Sequence, residues 1–188
     1  MPISDAHRWN ERYQQDDFKT PGPPRSFLVE NAGHLPDQGL ALDAAMGRGN
    51  NTGFLLACGL RVIGIDISEV AIAGAKARFP ALMALVADLT HFYIPRHTFD
   101  LIVNFYYLQR DLWPIYRLAL RPGGILVFES LTLDMLEKSP DIDPKYLLAP
   151  GELKDAFRDL QILIYREGWI LDDRGRSRAV ASLVARRT

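Results

Sequence analysis

From Gly39 onward, short apolar runs alternate with segments of helical texture. Leu40–Asp43, Arg61–Ile65, Leu82–Val86, Phe99–Val103 and Ile125–Phe128 are each four or five residues long. Runs so short and so apolar, parted by helices, read as strands of a parallel sheet covered on both faces. Helices are predicted over 51–58, 69–78 and 111–120. Gly59 stops the first, and Ser68 caps the second with Glu69 in its first turn. Pro114 is tolerated in the first turn of the third. Arg121-Pro122-Gly123-Gly124 reads as the turn before the fifth strand.

The flanks read differently. Residues 4–15 predict a helix with Trp9 and Tyr13 four apart, and packing into the core is the commoner role for such a pair. Thr20-Pro21-Gly22-Pro23-Pro24 breaks the chain, and a second helix over 26–33 stops at Gly33 and Pro36. After a helix at about 150–158 come Gln161–Arg166 and Arg178–Arg186, parted by the turn signal Asp172-Asp173-Arg174-Gly175. Two such runs with no helix between them make a hairpin. The expected fold is α/β: a Rossmann-like, seven-stranded, mostly parallel sheet with helices on both faces and a C-terminal antiparallel hairpin.

Composition narrows the class. The chain has 188 residues, 22 Lys+Arg against 23 Asp+Glu, and a net charge of −1. That balance argues against a nucleic-acid binder, and the length fits one domain. One cysteine, Cys58, excludes an internal disulfide framework and fits a reducing compartment. The apolar runs are too short to span a membrane and the N-terminus lacks a secretory pattern, so a cytoplasmic protein is expected. His91 and His97, without a third ligand, make no metal site.

The chemistry gathers at the strand ends. Asp43, Asp66, Asp88, Asn104 and Glu129 each close an apolar run. In an open parallel sheet those ends form one rim, where ligands bind. Gly47-Arg48-Gly49-Asn50-Asn51-Thr52-Gly53 lies between the first strand and its helix, where glycines admit a ligand to the backbone. A carboxylate at the end of the second strand, Asp66, stands where nucleotide-binding folds hold ribose hydroxyls. It reads as a rim residue with little packing role.

These residues resemble a known family. Leu42-Asp43-Ala44-Ala45-Met46-Gly47-Arg48-Gly49 is similar to motif I of the class I S-adenosylmethionine (SAM)-dependent methyltransferases. Gly64-Ile65-Asp66-Ile67-Ser68, Ala87-Asp88-Leu89, Phe99–Asn104 and Leu120–Gly124 resemble the motifs that follow it. The flanks, with Trp9-Asn10-Glu11-Arg12-Tyr13 and Tyr146-Leu147-Leu148 before Pro150-Gly151-Glu152-Leu153, look like the small tellurite-resistance/thiopurine-type branch. The resemblance implies one domain over 1–188, with an N-terminal helical lid at 1–38, a SAM-binding core at 39–130, and a substrate-side segment with the hairpin at 131–188. It implies that Asp43 and Asn104 lie by the methionine ammonium, and that Ala45, Met46, Gly47, Gly49 and Asn51 line the methionine and ribose. Asp66 and Ile67 would meet the ribose, and Ala87, Asp88 and Leu89 the adenine. Ala45 departs from the usual first glycine and is expected to keep a negative φ.

The implied reaction is methyl transfer to a small acceptor, a thiol or a chalcogen oxyanion, by a monomer or homodimer. Tyr106 and Arg110 are candidate acceptor contacts. Glu129 is a candidate general base or loop-orienting residue. Arg174, Arg176 and Arg178 alternate on a predicted strand and read as a solvated edge. The rival readings are an NAD(P)-dependent oxidoreductase, which the missing Tyr-x-x-x-Lys pair disfavours, and a SAM-binding module without catalysis.

Overall fold

In the computed structural model, which describes residues 3–15 and 22–188, each of the seven apolar runs is a strand. The N-terminal helix α1 spans Ile3–Gln14 and α2 spans Ser26–Glu30. Then follow β1 (Gly39–Ala44), α3 (Asn50–Ala57), β2 (Leu60–Asp66), α4 (Glu69–Arg78) and β3 (Met83–Val86). The second half holds β4 (Phe99–Phe105), α5 (Leu112–Ala119), β5 (Leu120–Leu131), α6 (Glu152–Ala156), β6 (Gln161–Leu171) and β7 (Ser177–Arg186). The strand order is β3-β2-β1-β4-β5-β7-β6, parallel through β5 and antiparallel at β7 and β6.

Strand residues alternate between two cores. Leu42, Ile102, Leu126, Phe128 and Leu183 pack under α5 and α6, with Trp113, Tyr116, Leu153 and Phe157. Ala41, Val62, Leu101, Val103 and Val127 face the other way, against Phe27 and Leu28 of α2, Leu55 of α3, and Ile72 and Ala75 of α4. Burial on both faces explains why the interior runs are continuously apolar, whereas the edge strand β3 is largely exposed.

Several boundaries differ from the sequence reading. The helix expected over 26–33 ends at Glu30, and Ala32–His34 is a separate 3-10 turn. The helix expected at about 150–158 is a short one behind Gly151, whose φ of 72° starts it. Arg121–Gly124 lies within β5 as an irregularity, held where Gly123 N donates to Arg187 O at 2.7 Å and Arg187 N to Gly124 O at 2.9 Å. Between β5 and α6 the chain forms two 3-10 turns, Leu133–Glu137 and Pro144–Tyr146, which the sequence did not announce. The predicted break at Thr20–Pro24 falls partly outside the described residues. Among the described residues, no helix is long and apolar enough to cross a membrane.

The crossovers reverse direction at β1, which pairs with β2 on one side and β4 on the other. The carboxyl ends of β1 and β4 therefore open a crevice at the switch point of the sheet.

Candidate active site

The loop after β1 turns through left-handed backbone three times in five residues. Ala45 has φ 52°, Gly47 56° and Gly49 73°. The negative φ expected for Ala45 is not found; the residue accepts a left-handed conformation that costs a non-glycine about 1 kcal/mol. The turns bring Met46 N to Ile65 O at 3.0 Å and Gly47 N to the Asp66 carboxylate at 2.8 Å. Asp66 also accepts from Ser68 N at 2.9 Å and is 6% exposed. It is thus a structural pin for the glycine loop as well as a wall residue, contrary to its reading as a rim group with little packing role. Burial raises its pKa, against the backbone N–H groups of Ser68, Gly47 and Ile67. Met46 folds back over Gly64, where an added Cβ would lie 2.0 Å from its sulfur.

Asp43, at the end of β1, is buried and accepts from Thr52 Oγ1 at 2.8 Å. Burial pushes its pKa up to about 7. Asp88, just past β3, accepts from Thr90 N at 2.9 Å and from Thr90 Oγ1 at 2.8 Å.

These residues surround one cavity of about 550 Å³. Of the sequence candidates, Asp43, Ala45, Met46, Gly47 and Asn51 line it, together with Asp66, Ile67, Ala87, Asp88, Leu89 and Tyr106. Gly49 and Asn104 are not on the wall. Gly49 is packed on Ala75 and Thr52 and serves the turn into α3. The Asn104 side chain donates to Tyr107 O at 2.8 Å and accepts from Tyr116 Oη at 3.2 Å, so it braces the loop after β4.

Two candidates on the acceptor side move. Arg110 turns away from the cavity. It is tied to Glu152 of α6, at 2.9 Å from Nη2 to Oε2, and donates to Lys145 O and Leu147 O at 2.9 and 3.0 Å. Its contacts pin the segment before α6, which corrects its reading as an acceptor contact. Glu129 does not line the large cavity either; it stands behind Tyr106, whose Oη donates to it at 3.0 Å.

The N-terminal helix roofs the cavity. Trp9 and Tyr13 stack with centroids 5.8 Å apart and both line it, so roofing takes the place of core packing. Asn10 fastens the helix by accepting from Ser68 Oγ at 2.7 Å. Opposite lies the β6–β7 turn. Asp172 accepts from Arg174 N and Arg176 N at 3.0 and 2.9 Å and pairs with the Arg176 and Arg178 side chains. Asp173 accepts from Ser26 N at 2.9 Å and pairs with Arg25 at 3.4 Å. That clamp folds the hairpin tip over the site, so Arg174, Arg176 and Arg178 line the cavity, with Arg174 and Arg176 still exposed as a solvated edge would have them. Sequence reasoning missed Arg25, Arg166 and Ser182, because their acidic partners, Asp173 for the first and Glu129 for the other two, lie more than thirty residues away in the chain.

The wall suits a ligand with a cationic head and a nucleoside. A buried carboxylate at Asp43 awaits a positive group, and the close-packed glycine turns leave backbone at the wall.

Residues 41–124 match the family model described as a methyltransferase domain. Over that stretch, somewhat less than half of its length, the chain is similar to methyltransferases. A probable S-adenosylmethionine-dependent methyltransferase of Mycolicibacterium smegmatis is 29% identical over 92 residues, covering 46% of this chain and 35% of that protein. The match therefore spans about a third of the length of this curated relative. TehB from Haemophilus influenzae superposes with a TM-score of 0.73 at 19% identity, over 97% of this chain and 67% of TehB. A protein whose structure concerns conversion of a disulfide bond into a thioacetal group during echinomycin biosynthesis gives a TM-score of 0.75 at 19% identity, over 97% of this chain and 91% of that one. Geranyl diphosphate C-methyltransferase from Streptomyces coelicolor, solved with S-adenosyl-L-homocysteine, gives 0.66 at 14% identity, over 86% and 78%. In this methyltransferase fold the hairpin that completes the sheet also closes the cavity.

Proposed function

We propose that this protein transfers the methyl group of SAM to a small acceptor bearing a negative charge. One observation carries the reading: the strand-end residues of the SAM motifs and the hairpin arginines line a single cavity. Asp43 would face the methionine ammonium, Asp66 the ribose hydroxyls, and Asp88 with Ala87 and Leu89 the adenine. SAM supplies a methyl group activated by its sulfonium, so the protein's task is alignment and exclusion of water. Trp9 and Tyr13 would shield the cofactor. Arg176 and Arg178, held by Asp172, would grip the acceptor's anionic group with charge-assisted hydrogen bonds.

A thiol and a chalcogen oxyanion both fit that grip. The neighbour named for thioacetal formation works on sulfur, and geranyl diphosphate is itself an anion; these precedents support a small, charged or sulfur-bearing acceptor. The test is calorimetric titration with SAM, S-adenosylhomocysteine, NAD and NADP, followed by transfer of labelled methyl to thiols and chalcogen oxyanions. Micromolar SAM binding with turnover is the expected result. Binding of NAD(P) but not SAM overturns it, and SAM binding without turnover on any acceptor makes the chain a non-catalytic module.

A further inference from the structure

Glu129, at 3% exposure, gathers donors from three separate elements. Tyr106 Oη, beyond β4, donates to Oε1 at 3.0 Å. Ser182 Oγ of β7 donates to Oε2 at 2.7 Å, and Arg166 Nη2 of β6 at 3.3 Å. Arg166 is shared with Glu30 of α2 at 3.1 Å and stacks on the Phe27 ring at 4.5 Å. The carboxylate is therefore oriented on Oε2 and offers Oε1 to the tyrosine.

Tyr106 is held in a strained backbone. Its φ is 57°, uncommon for a bulky residue, and its N–H donates to Glu129 O at 2.8 Å. The strain sets its ring as the partition between two spaces. One is the large cavity; the other is a chamber of about 100 Å³ bordered by Glu129, Arg166, Glu30, Asp172 and Asp173. Arg25 covers the ring at 4.6 Å. Tyr106 thus borders both the cavity and the space in front of Glu129. Burial, with Glu129 beside it, raises the phenol's pKa, so the resting group is a phenol with its proton directed at the carboxylate.

We propose that Tyr106 and Glu129 form a proton relay that deprotonates the acceptor atom, which makes the acceptor a thiol or hydroxyl and not an already ionised oxyanion. This rests on the methyl-transfer reading above. As the acceptor atom bonds to the methyl carbon, the methyl–sulfur bond breaks and its electron pair stays on sulfur. The acceptor's proton passes to Tyr106 Oη while the phenolic proton passes to Glu129 Oε1. The products are the methylated acceptor, the neutral thioether and a protonated Glu129, which returns its proton to solvent through a chamber large enough for water. Tyr106 is the catalytic residue of the pair; Glu129 acts through it, and Ser182 and Arg166 position Glu129.

The test uses the whole chain with SAM and 3-mercaptopropionate, whose thiol is protonated near neutrality and whose carboxylate suits the arginines. Methyl transfer is followed from about pH 7 to about pH 10 in wild type, Glu129→Gln and Tyr106→Phe, with SAM affinity measured for each. Both variants should be slower on the order of 10²-fold at the low end, and the deficit should shrink about tenfold per pH unit as solvent ionises the thiol. A deficit equal at every pH, or none at the low end, overturns the relay and leaves methyl transfer standing. Absence in wild type of SAM binding, or of transfer to every thiol and oxyanion of the panel above, overturns the parent reading and the relay with it, and transfer to oxyanions but to no thiol overturns the relay alone.

Discussion

Asp43 offers the sharpest test of where the cofactor's charge sits. Its carboxyl is 2% exposed, and burial pushes its pKa from 3.8 to about 7. The Thr52 hydroxyl opposes that rise and the Asp66 charge adds to it. Keeping such a group ionised in the ligand-free fold costs on the order of 4 kcal/mol. Because the folded value lies above the unfolded one, the stability linked to Asp43 is full below about pH 4 and lost as pH climbs through about 7. Asp43→Asn should flatten that part of the stability curve. A bound ammonium supplies the missing countercharge, so SAM should select the ionised form. Roughly one Asp43 in ten is ionised at pH 6 and roughly nine in ten at pH 8, which predicts about tenfold tighter SAM binding at the higher pH. Isothermal titration calorimetry in buffers of different ionisation heat should also detect close to ~1 proton released on binding at pH 6. The comparison with Asp43→Asn subtracts the ligand's own titration. Identical pH dependence in the two proteins would falsify the placement of the cation beside Asp43.

Three further outcomes follow from the geometry. Asp66→Ala should weaken SAM binding by about 1.5–3 kcal/mol and also lower the melting temperature, since Gly47 N and Ser68 N lose their acceptor; unchanged affinity would displace the ribose site. Gly64→Ala forces a Cβ to within 2.0 Å of Met46 Sδ and should cost about 1–3 kcal/mol in urea unfolding; an unaltered midpoint would contradict the Met46 packing. Arg178→Ala should raise the acceptor KM about tenfold while the SAM Kd holds, because the hairpin lies across the cavity from the strand ends; a shift in Kd alone would assign that arginine to the cofactor.

Much of the fold was legible because burial on both faces writes itself as unbroken apolar runs. The interior strands β1, β2, β4 and β5 were placed that way, the edge strand β3 is apolar though largely exposed, the turn signal placed β6 and β7, and the polar residue closing each of the first five marked the rim. The rest was less visible for identifiable reasons. Arg110 and Arg178 carry the same charge, one in the loop after β4 and the other at the start of β7, but Glu152 draws one away and Asp172 holds the other at the wall. Periodicity could put the hairpin arginines on one face; it could not say that the Asp173 clamp to Ser26 would fold that face over the site. Ala45 looked tolerable only with negative φ, yet the loop's hydrogen bonds to Ile65 and Asp66 impose the left-handed turn.

The sequence by itself determined the sheet, its terminal hairpin and the glycine loop with its carboxylates, because each is a local pattern of apolar period, turn chemistry or motif spacing. Tertiary structure alone decided which polar residues share a space. Ser182 and Arg166, 53 and 37 residues along the chain from Glu129, reach it because β7 pairs with β5 and β6 with β7. A hydrogen bond closed over that distance depends on sheet register, which local sequence does not encode.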